Sequence, residues 1–299
     1  MTVRAPGKVN LHLAVGPLRP NGYHDVISVM QAVSLYDEVT AHPSVDEVTC
    51  RVTGEGAADL PRDAGNLAVA AALRLAVRTG AAAGVQLEIV KGIPVAGGMA
   101  GGSADAAAAL VACDTLWQTG LDRSEIGELA SLLGSDVPFT LAGGTALATG
   151  RGELVTAVLA RGQFHWVFAL ANGGLSTAEV YAEHDRQAPL VEVSPDGVLA
   201  ALRAGDPVAL GKSLHNDLQA AALRLRPSLR RTLEAGMECG ALGGIVSGSG
   251  PTCAFLARSQ RDAVAIAAAL SGAGVARAVR MAYGPVPGAR VVDRAGDSR

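Results

Sequence analysis

The sequence is poor in aromatic residues and in charge of either sign. Phenylalanine, tryptophan and tyrosine make up 3% of the 299 residues, so we expect cores built of alanine, valine and leucine. Charged residues make up 18% and the net charge is −3, which disfavours a surface built to bind nucleic acid. Apolar residues make up 49%, and this share excludes an intrinsically disordered chain.

Paired cysteines and long hydrophobic runs are lacking as well. The four cysteines form no C-x-x-C pair, which argues against a zinc ribbon or a redox motif and predicts reduced thiols. The longest apolar run, 263–276, is shorter than the roughly 18 residues of a membrane-spanning helix. Residues 1–20 show no secretory signal pattern. We therefore expect a cytoplasmic protein that does not bind a membrane.

The length predicts two domains, at roughly 150 residues each. The first part is strand-rich and contains a hairpin whose turn is Pro20-Asn21-Gly22, followed by a helix over 66–79 and a strand over 85–90. A weakly structured stretch over 150–163 suggests the boundary. We therefore predict an α+β fold with an N-terminal domain over 1–160 and a C-terminal domain over 161–299.

The second half alternates between strand and helix patterns. Apolar periodicity predicts helices over 198–202, 217–223 and 229–238. Strands are predicted over 166–170, 244–246, 253–256 and 275–281.

Glycine is abundant, at 37 residues, and four glycines fall within six residues between a predicted strand and an alanine-rich helix that ends near Trp117. The segment 94–105 reads PVAGGMAGGSAD, and its glycines allow backbone N–H groups to approach a ligand closely. The positive end of the helix, with Ser103 as its expected N-cap, would face the same ligand. The segment predicts a nucleotide phosphate site, with a tightly packed turn as the alternative.

Other nucleotide motifs are poorly supported. Gly211-Lys212-Ser213 resembles the end of a Walker loop, but Asp206 replaces the first glycine and a helical pattern precedes it, so the match is interpreted as chance. No G-x-G-x-x-G fingerprint of a dinucleotide fold occurs.

Three segments together resemble the GHMP kinases, the family named for galactose, homoserine, mevalonate and phosphomevalonate kinases. Residues 94–104 are similar to the family's phosphate loop, 5–11 (APGKVNL) to its N-terminal motif and 246–255 (VSGSGPTCAF) to its C-terminal motif. Met99, Ala100 and Ala104 depart from the usual leucine, glycine and second serine. The resemblance implies a two-domain fold with the active site in the cleft between the domains.

Within the family, the segments 21–24 (NGYH), 133–138 (LGSDVP) and 216–217 (ND) resemble the members that act on a cytidyl alcohol. This resemblance implies ATP-dependent phosphorylation of the 2-hydroxyl of 4-diphosphocytidyl-2-C-methyl-D-erythritol in the non-mevalonate isoprenoid pathway. It also implies Mg²⁺ as a cofactor.

Phosphoryl transfer needs positive charge at the transferred group and a group that holds or deprotonates the attacking hydroxyl. Lys8 and Asp136 suit these two roles and match the family's catalytic lysine and aspartate. Without the resemblance to the family, Lys8 would be interpreted as a solvated surface lysine and Asp136 as a turn or helix-cap residue. The resemblance favours the catalytic assignment.

The resemblance also assigns binding residues. The ATP-binding candidates are Asn66, Lys91, Pro94, Val95, Ala96, Gly97, Gly98, Met99, Ala100, Gly101, Gly102, Ser103 and Ala104, with Ser103 a possible Mg²⁺ ligand. The substrate-binding candidates are Asn10, Tyr23, His24, Thr177 and Tyr181. In a chain with few aromatics, Tyr23 and Tyr181 are suited to stack on a cytosine ring whose polar edge His24 contacts.

Two other functions stay open at this point. A different small-alcohol kinase of the family would share Lys8 and the glycine-rich segment 94–105, here called the glycine loop. It would not need Tyr23 and His24. A non-catalytic nucleotide-binding module would not need a positioned Asp136. The sequence predicts no state of oligomerisation.

Overall fold

The structure, a computed structural model, describes residues 1–20, 22–45, 47–81, 84–95, 97–186 and 193–292. Its N-terminal part is built on two long antiparallel strands, β1 (Thr2–Leu18) and β2 (His24–Pro43). The antiparallel pairing of β1 with β2 confirms the predicted hairpin. Gly22, which lies between the two strands, has a φ of 82°, a conformation that glycine adopts readily. Asn21 and Ala96 lie outside the described residues.

Ten further strands complete two sheets within the described part of the chain. They are β3 (Val48–Gly54), β4 (Val85–Lys91), β5 (Thr145–Thr149), β6 (Leu154–Ala157), β7 (Phe164–Leu170), β8 (His215–Asn216), β9 (Gly243–Val246), β10 (Cys253–Ala257), β11 (Ala278–Gly284) and β12 (Arg290–Val291). The first sheet has the order β12-β1-β2-β4-β3, with β5 also paired to β2, β6 to β5 and β8 to β1. The second sheet has the order β11-β7-β10-β9.

Helices cover and connect the sheets. They are α1 (Leu67–Thr79), α2 (Gly101–Trp117), α3 (Arg123–Leu133), α4 (Val137–Ala142), α5 (Thr177–Asp185), α6 (Asp196–Ala204), α7 (Pro207–Ser213), α8 (Gln219–Leu225), α9 (Ser228–Glu238) and α10 (Gln260–Gly272). A short 3₁₀ turn forms over Ala57–Asp59.

The core is built mainly of small and aliphatic side chains, as the composition predicted. Ala106, Ala107, Ala108 and Ala109 of α2 have no exposed surface, and short side chains let this helix approach the sheet closely. The buried Trp166 Nε1 donates a hydrogen bond to Gln31 Oε1 at 3.1 Å, which satisfies its one polar atom.

The α+β class and most predicted elements are confirmed. Asn66 accepts a hydrogen bond from Ala68 N at 2.9 Å and caps α1, as its position before the apolar repeat predicted. The Walker-like residues 211–213 lie inside α7, so they form no phosphate loop. Among the described residues, no helix is long and apolar enough to cross a membrane.

Several short elements differ from the sequence analysis. The stretch 150–163 contains β6, and the short helices α4, α5 and α7 were not predicted. The predicted boundary between residues 160 and 161 stays a prediction. The last described strand, β12, returns to the edge of the first sheet beside β1.

Candidate active site

A cavity of about 410 Å³ lies where β1, β2 and the glycine loop face α5 and the turn 247–250. Most of the candidate residues line it: Lys8, Asn10, Lys91, Pro94, Val95, Gly97, Gly98, Met99, Ala100, Gly101, Gly102, Asp136, Thr177 and Tyr181. The N-terminal and C-terminal motifs, which are more than 230 residues apart in the chain, therefore meet at one site.

Five described candidates are outside this lining. Asn66 is buried as the cap of α1, while Ser103 and Ala104 follow in the first turn of α2. Tyr23 lies near the rim with 54% of its surface exposed, and His24 is buried beside it. The assignment of all five to binding stays a prediction.

The glycine loop is held against the turn 247–250 by direct backbone packing. Gly98 has a φ of 73°, and a Cβ atom there would lie 2.0 Å from the carbonyl oxygen of Ser247. Ser247 Oγ donates to the Gly98 carbonyl at 3.1 Å, and the Lys8 amide donates to the Met99 carbonyl at 3.1 Å. The loop therefore has a fixed position relative to both β1 and the turn.

The predicted role of Ser103 as the N-cap of α2 is wrong. The helix begins at Gly101, and Ala100 occupies the cap position with a φ of 60° and no side-chain cap hydrogen bond among the described residues. Because Ala100 takes the cap position in a left-handed conformation, Ser103 is already the third residue of the helix. The amides of the first turn thus face the cavity end without a capping side chain, as an anion site requires.

Lys8 and Asp136 come together at the centre of the cavity. Lys8 Nζ donates to Asn10 Oδ1 at 2.6 Å and lies 3.8 Å from Asp136 Oδ2. Asn10 is fixed in turn, since its Nδ2 donates to Ser28 Oγ at 2.8 Å. Asp136 precedes α4 but makes no side-chain cap hydrogen bond, so its carboxylate is not committed to holding the helix.

A buried cluster of charges lies below the glycine loop. Lys91 Nζ donates to Asp37 Oδ2, to Asp105 Oδ2 at 2.6 Å and to the Gly101 carbonyl at 3.3 Å. Asp37 Oδ1 accepts the amides of Gly92 and Ile93 at 2.7 and 2.9 Å. The cluster therefore ties the start of the glycine loop to the first turn of α2.

The electrostatics of this cluster follow from two carboxylates sharing one buried ammonium group. Burial alone would lower the pKa of Lys91, but Asp105 and Asp37 outweigh it and raise that pKa. Burial and the charge of Asp37 raise the pKa of Asp105 well above its ordinary value. An ammonium group has three donors, and each of those of Lys91 already has an acceptor. Its contact with ATP stays a prediction.

Of the residues predicted to contact cytosine, Tyr181 lines the cavity and His24 packs against it from outside the lining. The His24 ring lies 5.1 Å from the Tyr181 ring, its Nδ1 donates to the Gly16 carbonyl at 2.8 Å, and its Nε2 lies 3.3 Å from Asp185 Oδ1. Burial, with the nearby Asp136, raises the pKa of Tyr181 to about 12, so this ring stays neutral. Thr177 and Ser249 also line the cavity, and their hydroxyl groups form a hydrogen bond of 2.9 Å between Oγ1 and Oγ.

Sequence reasoning missed several residues of the site. Ser28, Asp105, Arg151 and Ser249 line the cavity, and Asp37 supports it from below. Asp105 and Ser249 belong to the quoted motifs, so those motifs were the available signal. Asp37, Ser28 and Arg151 lie in or between strands and carry no recognisable pattern. Within the described part of the chain, no group of three or more potential metal ligands occurs.

Next to the cavity, β8 places His215 beside His12 of β1, the strand that also carries Lys8. The rings of His12 and His215 lie 5.2 Å apart, and His12 Nε2 is buried with no hydrogen-bond partner among the described residues. Burial of the imidazole and the nearby His215 lower the pKa of His12 from 6.5 to about 4, although Asp217 acts in the opposite direction. The folded protein therefore holds His12 neutral over a pH range in which an exposed histidine takes up a proton.

We expect acidification to destabilise the protein through His12. Between pH 6.5 and about pH 4 the unfolded chain binds this proton and the folded chain does not, so the free energy of unfolding falls as pH falls. This one group accounts for about 3 kcal/mol between pH 7 and pH 4. Urea unfolding at both pH values should show a smaller pH effect in His12→Gln than in wild type. An equal pH effect in the two proteins would contradict the assignment.

Comparisons with known proteins agree with this geometry. A model for the GHMP kinases N terminal domain matches residues 66–144, and one for the GHMP kinases C terminal region matches 198–276. The chain is 60% identical over 295 residues to 4-diphosphocytidyl-2-C-methyl-D-erythritol kinase of Nocardia farcinica, covering 97% of this chain and 96% of that protein. It is 57% identical over 299 residues to the enzyme of that name from Mycobacterium tuberculosis, covering 98% and 93%.

Solved structures extend the comparison to three dimensions. The crystal structure of a 4-(cytidine 5'-diphospho)-2C-methyl-D-erythritol kinase matches with a TM-score of 0.79 at 30% identity, over 95% of this chain and 98% of that one. A homoserine kinase from Cytophaga hutchinsonii matches with a TM-score of 0.78 at 21% identity, over 98% and 97%, and this second likeness shows a shared fold alone.

Proposed function

Because the chain belongs to the GHMP kinase family, we propose that it phosphorylates the 2-hydroxyl of 4-diphosphocytidyl-2-C-methyl-D-erythritol with ATP. Relatives that carry the name of this activity are 57–60% identical over nearly the whole chain. The observation that supports the chemistry is the approach of Lys8 Nζ to Asp136 Oδ2, at 3.8 Å, beside the glycine loop.

The loop and the helix behind it supply the phosphate site. Backbone amides over 97–102 and the first turn of α2 present positive partial charge to the cavity, which favours the triphosphate of ATP. Gly98 and Gly101 let the loop pack closely on Ser247 and on Lys91, which fixes the position of the amides that would contact the phosphates. The contacts of the loop with Ser247 and with the Lys8 amide hold it in place, and a fixed loop of this kind favours phosphoryl transfer.

Lys8 and Asp136 then act on the reacting atoms. The carboxylate of Asp136 accepts the proton of the 2-hydroxyl as that oxygen forms a bond to the γ-phosphorus. The bond from the γ-phosphorus to the bridging oxygen breaks at the same time, and ADP leaves. Lys8 places a positive charge beside the transferred group, and Asn10 keeps its ammonium in position.

Mg²⁺ is part of the same proposal. The cavity carries one oxygen donor of the kind that this hard cation prefers, in Asp136, and the predicted ligand Ser103 lies outside the lining in the first turn of α2. With no cluster of three protein ligands among the described residues, the ion would be held mainly by ATP oxygens and water, an arrangement usual for Mg²⁺. When bound, it neutralises charge on the phosphates.

A cytoplasmic location, where ATP is supplied, also stays a prediction.

The activity is tested by measuring ATP consumption with three alcohols side by side: 4-diphosphocytidyl-2-C-methyl-D-erythritol, homoserine and mevalonate. We expect turnover with the cytidyl alcohol alone and a product carrying one phosphate on the 2-hydroxyl, identified by ³¹P NMR. Turnover with homoserine or mevalonate instead would assign another small-alcohol substrate. ATP binding without turnover on any alcohol would identify a non-catalytic module.

Tyr23 provides a test of the cytosine site. More than half of the Tyr23 surface is exposed, so Tyr23→Ala should fold normally while it removes the stacking surface. Stacking on one base contributes about 1–3 kcal/mol, so KM for the cytidyl substrate should rise between about 5-fold and about 100-fold. KM for ATP should stay near the wild-type value in the same steady-state assay. An unchanged KM for the cytidyl substrate would remove Tyr23 from the binding site.

A further inference from the structure

We propose that Arg151 binds the diphosphate of the substrate and so selects a nucleoside diphosphate over a nucleoside. This inference rests on the proposed function, because it assumes that a cytidine diphosphate enters the cavity. Four observations carry it: the position of Arg151 in the cavity wall, its fixed backbone, its contact with Tyr23, and the engagement of the other two cations of the lining.

Arg151 lies in the turn between β5 and β6, in the wall of the cavity that also holds Asp136. Its neighbours Gly150 and Gly152 have φ values of 70° and 107°. Glycine adopts these backbone conformations readily, whereas a residue with a side chain would be strained in them. The Val26 amide donates to the Gly150 carbonyl at 2.8 Å, and the Gly152 amide donates to the Thr149 carbonyl at 3.0 Å. The backbone that carries Arg151 is therefore anchored to β2 and β5.

The side chain of Arg151 connects the rim to the cavity. Its Cζ lies 5.3 Å from the centre of the Tyr23 ring, a cation–π contact. Glu153 approaches in two ways: its Oε2 accepts the Arg151 amide at 2.7 Å, and its Oε1 lies 3.5 Å from Arg151 Nε. The guanidinium has five donors, and this single long approach leaves enough of them for two phosphate oxygens.

The charges of the cavity lining point to the same role. Its cations among the described residues are Lys8, Lys91 and Arg151. Lys91 is bound by Asp37 and Asp105, and Lys8 lies between Asn10 and Asp136 at the predicted point of transfer. Both lysines therefore have partners away from Tyr23, whereas Arg151 contacts the Tyr23 ring.

The chemistry of the substrate fits this placement. In a cytidine diphosphate derivative, the diphosphate joins the nucleoside to the alcohol that is phosphorylated. With the cytosine against Tyr23 and the hydroxyl at Asp136, the diphosphate must lie between these two residues. Arg151 contacts the Tyr23 ring and lines the same cavity as Asp136, and arginine pairs with phosphate oxygens through two parallel hydrogen bonds.

The test compares ligands with and without the diphosphate. Binding of cytidine, of cytidine diphosphate and of a non-hydrolysable ATP analogue is measured by calorimetry on wild type, Arg151→Gln and Arg151→Lys. Charge-assisted hydrogen bonds are stronger than neutral ones, and Arg151→Gln removes the charge. The substitution should therefore weaken cytidine diphosphate binding about 10- to 100-fold. Cytidine binding should fall by less than about threefold, because it lacks the phosphates, and Arg151→Lys should lie between wild type and Arg151→Gln.

Kinetics supply a second readout. In Arg151→Gln, KM for the cytidyl substrate should rise by the same factor as the dissociation constant of cytidine diphosphate, with kcat within about threefold of wild type and KM for ATP unchanged. Arg203→Gln is the matched control, because Arg203 is exposed in the last turn of α6, outside the cavity lining. It should behave as wild type in every measurement.

Distinct outcomes separate the possible errors. Equal losses for cytidine and for cytidine diphosphate would show that Arg151 only supports Tyr23 and would overturn the inference. A rise in KM for ATP with unchanged binding of cytidine diphosphate would also overturn it. A selective loss of cytidine diphosphate binding in a protein that does not phosphorylate the cytidyl alcohol would uphold the diphosphate site and reject the proposed function.

Discussion

Asp136→Asn is expected to lower kcat about 10²-fold or more and to leave KM for ATP near its wild-type value. Asparagine has almost the same shape as aspartate, but its amide is a poor proton acceptor and carries no charge. The lost group touches the attacking hydroxyl and not the nucleotide loop, so the effect should fall on turnover. Steady-state kinetics with both substrates varied provides the measurement.

Asp122→Asn is the matched control for this variant. Asp122 caps α3 by accepting the amides of Ser124 and Glu125 at 2.8 and 2.9 Å, and asparagine caps a helix about as well as aspartate. This variant should keep wild-type kcat and stability. Wild-type kcat in Asp136→Asn would show that the carboxylate takes no part in the transfer step.

Gly98→Ala is expected to raise KM for ATP about 10²-fold. A left-handed conformation costs an alanine about 1–2 kcal/mol, and the added Cβ would lie 2.0 Å from the backbone oxygen of Ser247. Backbone cannot rotate away as a side chain can, so the glycine loop and the turn 247–250 must move apart. Loss of one or two amide hydrogen bonds to the charged phosphates, at about 1.5–3 kcal/mol each, corresponds to about 10²-fold in KM for ATP.

Gly127→Ala is the control for the glycine substitution. Gly127 lies inside α3, no atom of the described residues lies within 4 Å of the added Cβ, and alanine is favoured there by about 1 kcal/mol. It should leave the kinetics unchanged and raise the melting temperature slightly. If Gly98→Ala bound ATP as wild type does, the close packing of the loop against Ser247 would have no role in nucleotide binding.

The sequence predicted the site well where the chemistry is carried by the backbone. The glycine loop, the strand before it and the helix after it form one local unit, so 94–105 could be interpreted without tertiary information. Lys8 and Asp136 were different, since each has an ordinary structural explanation. Only the resemblance to the GHMP kinases predicted their roles, and the structure brings them to 3.8 Å.

Other parts of the site could not be predicted because they depend on contacts across the sheet. Asp37 is 54 residues from Lys91 in the chain and lies within a long, largely apolar strand, so nothing local indicates that its carboxylate holds the loop amides. Arg151 depends on the packing of a turn against β2. Ser103 was misjudged because a serine after two glycines is a common cap, whereas Gly101 begins the helix here.

The short helices were missed for a related reason. Helices α4 and α7 are six and seven residues long, too short to show a repeating apolar face. In α5 only Val180 and His184 are buried, so its sequence gives little periodicity. Yet α5 carries Thr177 and Tyr181 into the cavity, and its Asp185 approaches His24.

A crystal structure with a non-hydrolysable ATP analogue and 4-diphosphocytidyl-2-C-methyl-D-erythritol tests the central claim most directly. The account predicts the triphosphate on the amides over 97–102, Lys8 Nζ beside the terminal phosphate, and the 2-hydroxyl within ~3 Å of an Asp136 oxygen. A nucleotide bound elsewhere, or a 2-hydroxyl placed far from Asp136 with both ligands present, would contradict it.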